Sequence, residues 1–244
     1  MNIRKSWVIA VKDFEIFLKK KQILISLLIF PLIMGIGFPF MLLTIIEEPT
    51  LKVQELITII NTFSLMYIML PSFIPPSLAS YSIVGEKTEK TLEPLLATPI
   101  TDDELLLGKI IASFLPSISI SYLSAIFFML LINIFTFDKL QYFFFPNWDM
   151  GVILFLIVPF VILLSVEVNV LISSKSNDVR TASQLGALSM TPFLGLYFGF
   201  QTYLIGLNLF NLLVLVFFLL LISLALFILI KSVFNREKIL TKWT

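Results

Sequence analysis

Apolar residues run along this chain in long blocks separated by short clusters of charge. The first block, Ile23–Ile46, contains no Lys, Arg, Asp or Glu. A helix crossing the roughly 30 Å hydrocarbon core of a bilayer needs about 20 apolar residues, so this block predicts a crossing. Blocks at 56–80, 105–134, 152–172, 182–204 and 208–231 predict five more. Unpaired backbone groups are very costly in lipid, so the crossings must be helices rather than open strands. The fifth block is diluted by Gly186, Thr191, Pro192, Gly195, Gly199 and Gln201, and its ends are the least defined. Before the first block the period changes. Ile3, Trp7, Val11, Phe14 and Leu18 follow helical spacing, with Arg4, Lys5, Lys12, Asp13, Glu15 and Lys19 on the other faces. This predicts an amphipathic helix over 1–21 lying on the membrane surface. A basic start followed by an apolar run also suggests a signal peptide. The run is too long for an h-region of about 7–15 residues, so it reads as a retained helix.

The basic residues orient the bundle. With six crossings, 15 of the 17 Lys and Arg fall on one side, and only Lys52 and Lys139 fall on the other. The side rich in Lys and Arg is cytoplasmic, which places both termini in the cytoplasm. Losing or adding one crossing breaks this partition. The expected fold is an all-α integral membrane protein forming one transmembrane domain over 1–244, and its expected location is the cell (plasma) membrane.

Composition agrees with that class. Apolar residues make up 58% and charged residues 14%, against about 25% charged in soluble domains. Net charge is +1, which gives no case for nucleic-acid binding. There is no Cys and no His. That excludes disulfides, thiol nucleophiles, metal sites built on those residues and His-based proton transfer.

The charged stretch 84–100 between the second and third crossings is the most informative. Leu92, Leu95 and Leu96 form an apolar stripe beside Glu86, Lys87, Glu89, Lys90 and Glu93. Glu86 and Lys90 stand at i and i+4 in the favourable order, whereas Glu89 and Glu93 repel unless a basic group lies between them. Pro94 ends or kinks the helix near Glu93. Thr101 and Glu104 then have capping-box spacing, and Asp102 and Asp103 suit the first turn of a new helix. On composition alone, a solvated loop joining two crossings has equal weight. Over 135–149 the aromatics Phe135, Phe137, Tyr142, Phe143, Phe144, Phe145 and Trp148 predict an outer interfacial loop.

Polar groups inside the blocks are candidates for a translocation path. Glu167 and Asn169 stand near the cytoplasmic end of the fourth crossing, where a carboxylate either faces a pathway or makes a structural hydrogen bond. Ser117 and Ser121 share one face of the third crossing with Ser113 and Ser124. Small residues there permit close helix approach, and packing is the simpler reading. Pro71, Pro75 and Pro76 break the second crossing, and Pro116 predicts a kink in the third. Gly195 and Gly199 form one small-residue packing pair in the fifth block.

The pattern Glu86-Lys87-x-x-x-Thr91-Leu92-Glu93-x-Leu95-Leu96-x-Thr98-Pro99, followed by Glu104-x-x-x-Gly108-Lys109, resembles the signature of the ABC-2 type transporter permeases. The stretch 172–184 resembles that family's cytoplasmic loop before the fifth crossing. The resemblance covers most of the chain. It implies that 84–100 carries the coupling helix that docks on a separate ABC ATPase subunit, through Glu86, Lys87, Thr91, Leu92, Glu93, Leu95, Leu96, Thr98 and Pro99. It also implies two permease chains, identical or related, with two ATPase chains. ATP and Mg would then belong to the partner, with no cofactor in this chain. No G-x-x-x-x-G-K-[ST] phosphate loop is present, which agrees with a non-enzymatic transport subunit. A secondary transporter or channel would need paired intramembrane charges or an inverted repeat. An intramembrane enzyme would need a catalytic set, whereas Glu167 stands alone. The cargo is not legible in the residues.

Overall fold

The computed structural model describes residues 3–46, 48, 51–89, 91, 100–202 and 209–233, which contain helices and no strands. We number the helices α1 (Ile3–Lys19), α2 (Ile23–Ile46), α3 (Val53–Thr88), α4 (Asp102–Leu140), α5 (Trp148–Lys175), α6 (179–201) and α7 (Leu209–Val233). Five of them, α2 to α5 and α7, are long and apolar enough to cross a membrane. The fifth predicted crossing corresponds to α6, which is not among those five. Its arms, Val179–Ala187 and Thr191–Gln201, are joined by a tight turn over Leu188–Met190. The dilution by Gly, Thr, Pro and Gln that blurred this block in the sequence also keeps it less apolar than the others.

Helix α5 is the centre of the bundle. It packs against α3, α4, α6 and α7, and 61% of its most apolar stretch is buried, against 17% for α7. Apolar residues such as Phe217, Phe218 and Ile228 on α7 remain exposed. A bilayer is itself apolar, so such faces need no protein cover.

Helix α4 has 39 residues, roughly 58 Å at about 1.5 Å per residue, so it outruns the hydrocarbon core. It passes through Pro116 as one continuous helix. It begins with the predicted capping box: Glu104 N donates to Thr101 Oγ1 (3.3 Å), and Thr101 N donates to Glu104 Oε2 (3.1 Å). It also absorbs residues 135–140, which the sequence assigned to the outer loop. The remaining loop is only partly exposed. Tyr142, Phe143 and Trp148 face outward, but Phe145 is buried and packs on Phe128. Asn133 pins it there, donating to Phe145 O (2.7 Å) and accepting from Phe145 N (2.8 Å). One aromatic of the loop therefore seals the bundle rather than forming a belt.

The prolines interrupt α3 as expected. Tight 3₁₀ turns occupy Met66–Ile68 and Leu70–Phe73, and a wide π turn occupies Tyr81–Gly85. The serine stripe of α4 is packing. Ser113, Ser117, Ser121 and Ser124 are fully buried. A Cβ placed on Gly35 of α2 would stand 2.7 Å from Ser124 O, so small residues on both helices allow the approach.

Two cavities lie at opposite ends of the bundle, and α6 lines both. One, of about 630 Å³, is lined by Lys20, Lys21, Ser77, Tyr81, Ser183 and Gln184 among others. The other, of about 380 Å³, includes Gln54, Asn61, Asn147, Asp149, Phe200 and Gln201. Gln201 Nε2 donates to Thr62 Oγ1 there (3.2 Å).

Helix α1 lies across the base of α4. Its buried stripe is Ser6, Ile9, Ala10, Asp13 and Phe17. Ile3, Trp7, Val11 and Leu18, the stripe that carried the sequence pattern, point outward. The contact depends on Gly108, where any Cβ would stand 2.8 Å from Ile9 Cβ and 2.9 Å from the Ser6 carbonyl oxygen. We predict that Gly108→Val destabilises the protein by about 1–3 kcal/mol through overpacking and exposes α1 to protease. Digestion as slow as that of the wild type would show that α1 is not docked there.

Candidate functional site

The charges that sequence spacing scattered along the chain converge at one end of the bundle, which we call the basic end. Lys109, the residue next to the docking glycine of α4, is 1% exposed. Its ammonium donates to Asp13 Oδ2 of α1 (3.0 Å) and to the Ser82 carbonyl oxygen of α3 (2.7 Å). It also stands 2.6 Å from Glu86 Oε2 as an ion pair outside hydrogen-bond alignment. Asp13 and Glu86 are equally enclosed, at 1% and 4% exposure. Lys12 closes the cluster from the surface by donating to Glu86 Oε1 (2.6 Å), and the Ser82 hydroxyl donates to Asp13. One buried cation therefore joins α1, α3 and α4. Burial pushes the Asp13 carboxyl above its usual range, against the opposing pull of Lys109.

Sequence reasoning put Asp13 on a solvated face of α1. The structure corrects this. Asp13 shares the stripe of Ser6, Ile9, Ala10 and Phe17 that packs on α4, and no helical period read from α1 alone could reveal that partner. Lys109 was legible only as the end of a motif.

Lys87 faces the other way. Only 3% exposed, it donates to the carbonyl oxygens of Ser173 (3.3 Å), Ser174 (2.8 Å) and Ser176 (3.3 Å) at the C-terminal end of α5. An ammonium there satisfies carbonyls that a helix end leaves unpaired. The neighbouring residues Glu86 and Lys87 therefore grip opposite sides of the bundle.

The next residues extend the grip. Glu89 accepts from Lys20 (2.8 Å) and from the Tyr81 hydroxyl (2.6 Å). The Lys20 hydrogen bond holds the Glu89 carboxyl below its usual range and raises Lys20 in return. Lys20, distant in sequence, is thus the cation paired with Glu89. Thr91 N donates back to the Glu86 carbonyl oxygen (3.0 Å). Leu92, Glu93, Leu95, Leu96, Thr98 and Pro99 lie outside the described residues. At the base of α4, Asp103 accepts from Lys231 of α7 (2.7 Å), and Glu104 lies 3.9 Å from Lys5 of α1.

The other candidate residues are placed elsewhere. Glu167 is 2% exposed, and its Oε1 accepts from Ser223 of α7 (2.9 Å). Asn169 is fully buried and donates to the Ser165 carbonyl oxygen (2.6 Å), with its oxygen pressed against Gly186 of α6. Ser117 and Ser121 each donate to the carbonyl four residues back. None of these four lines either end cavity. Glu167 joins α5 to α7 and Asn169 joins α5 to α6, whereas the two serine hydroxyls bond within α4.

The sequence profile of the family described as ABC-2 family transporter protein matches residues 7–239. No curated protein matches the chain.

We predict that Lys109→Met, which strands two buried carboxylates, costs about 3–5 kcal/mol. Combining it with Asp13→Asn and Glu86→Gln restores most of the loss. Thermal unfolding in detergent is the readout, and a single variant as stable as wild type would refute the ion cluster. An acid whose pKa is raised by folding adds stability below its unfolded value, and that contribution fades as pH rises through the folded value. The Asp13 share of the stability should therefore decline from about pH 4 upward, and the difference in stability between wild type and Asp13→Asn should change with pH in that direction.

Proposed function

The chain belongs to the ABC-2 transporter family, and on that premise we propose that it is the permease half of an ATP-driven exporter, working with a separate ATPase subunit and a second permease chain. The observation that carries this reading is the divided grip of Glu86 and Lys87. They stand immediately before the leucine-bearing segment 92–99. Glu86 is bound into the α1 and α4 cluster, and Lys87 caps the end of α5. A displacement imposed on the segment by nucleotide-driven closure of the ATPases would reach α1, α4 and α5 without passing through a soft loop. Glu86 and Lys87 then act as the root of the coupling element. The leucines and Glu93 supply its docking face.

In this reading the basic end is cytoplasmic, as the distribution of Lys and Arg requires. Helix α6 is the sixth crossing. Its first arm lines the cavity beside Lys20 and its last turn lines the cavity beside Asn147, which supports a passage from one face to the other. A run of about 23 residues spans roughly 34 Å as a helix, enough for the hydrocarbon core. The two cavities share α3 and α6. Rocking of these helices would open one end while closing the other, and the permease itself would make and break no covalent bond.

Two measurements test this. The chain has no native Cys, so single cysteines report topology cleanly. We predict that Thr202→Cys reacts with an impermeant maleimide from outside the cell, and that Asn177→Cys reacts only after permeabilisation. The same labelling for both would remove the sixth crossing. For coupling, the chain is reconstituted in liposomes with the ABC ATPase that co-purifies with it. Leu95→Asp with Leu96→Asp, or Lys87→Gln, should abolish stimulation of ATP hydrolysis by the permease while membrane insertion persists. Full stimulation in both variants would overturn the coupling assignment.

A further inference from the structure

We propose that the cavity at the basic end, between α2, α3 and the first arm of α6, binds the headgroup of an anionic phospholipid. This requires that the basic end sit at a membrane face, and it requires no ATPase partner.

The cavity of about 630 Å³ falls in the range of small-molecule sites. Its rim carries Lys20, Lys21 and Arg180. Lys20 is occupied by Glu89, but Lys21 and Arg180 are exposed side chains at the mouth. The rim's carboxylate, Asp178, is turned mainly to its own helix, where its Oδ2 accepts from Thr181 N (2.9 Å) and from the Thr181 hydroxyl (3.0 Å); it offsets part of the Arg180 charge but not that of Lys21. The mouth is therefore suited to a phosphodiester.

The floor argues for a lipid rather than a soluble anion. Ser26 lies five residues beyond Lys21, about 7–8 Å deeper along α2 and inside the uncharged block Ile23–Ile46. Its hydroxyl reaches that of Ser77 on α3 (3.4 Å). Each serine donates to a carbonyl of its own helix, three residues back, and a rotating hydroxyl exchanges such a bond for an ester oxygen. Cations at the surface above hydroxyls one turn or more inside the apolar layer match the order of phosphate and glycerol ester along a phospholipid. A free phosphate would need only the rim. Basic pockets between helices on the cytoplasmic side are favourable places for anionic headgroups. An occupant here would touch three helices that the export cycle must move against one another.

The test uses the full chain in detergent micelles, titrated with phosphatidylglycerol or with phosphatidylcholine of the same acyl chains, and read by native mass spectrometry. Glycerol 3-phosphate serves as the soluble headgroup. We expect one saturable phosphatidylglycerol, weaker phosphatidylcholine binding and no protection by glycerol 3-phosphate. Lys21→Gln with Arg180→Gln should weaken phosphatidylglycerol binding about thirtyfold, while Lys52→Gln with Lys139→Gln at the opposite end should leave it unchanged. Equal binding of the two lipids, equal loss in both double variants, or full competition by glycerol 3-phosphate would each overturn the proposal. If the first double variant fails to fold, Ser183→Trp fills the cavity from its wall, and unchanged phosphatidylglycerol binding in that variant would be equally decisive against it.

Discussion

The basic end of this protein is organised around one ammonium group taken out of water. Lys109 has no solvent to satisfy it, so the fold must bring carboxylates and carbonyls to it from elsewhere in the chain. Asp13 arrives from α1, and Glu86 and the Ser82 carbonyl oxygen arrive from the end of α3. Meeting that requirement determines where the surface helix lies, where α3 leaves the bundle and how close both stand to α4. Gly108 supplies the steric half of the same constraint by letting α1 approach. A hydrophobic contact at this position would give comparable stability with less geometric restriction. An ion cluster fixes register, because its members attract one another strongly only over a few ångströms.

That rigidity contrasts with the interruptions in α3 and α6. Helix α3 contains 3₁₀ and π turns, and α6 is two short arms around one turn. Each irregular turn weakens the regular backbone ladder and leaves a place where a helix bends with little loss. The two cavities lie along these interrupted helices rather than along α4 or α7. The rocking cycle proposed above would need stiff levers and compliant walls, and this chain has candidates for them on different helices. The long uninterrupted α4, anchored to α1 and α7 at its base, is the stiff element.

The buried polar residues of α5 have a different task. Glu167 reaches Ser223 of α7, and Asn169 sits against Gly186 of α6. In a bilayer the apolar driving force between helices is weak, since lipid tails are as apolar as leucine, and small or polar contacts select partners instead. These side chains therefore appear at the seams of the central helix. The cavity away from the basic end takes its polarity from Gln54, Asn61, Asn147 and Gln201.

Much of the architecture was present in the order of residues alone. Apolar block length determined the crossing helices, because bilayer thickness and backbone hydrogen bonding leave few alternatives. The capping box at Thr101 and the breaks at Pro71, Pro75 and Pro76 were local as well, since each concerns residues within a few positions of one another. The family was legible from a motif at the root of α4 and the segment before it. Tertiary structure decided what required a partner distant in sequence: that Asp13 is buried, that Glu86 and Lys87 pull in opposite directions, and that Glu167 and Asn169 are seams. Helical periodicity reports which residues share a face but not what that face meets. For a charge in a membrane protein, that missing partner determines whether it is solvated, paired or buried.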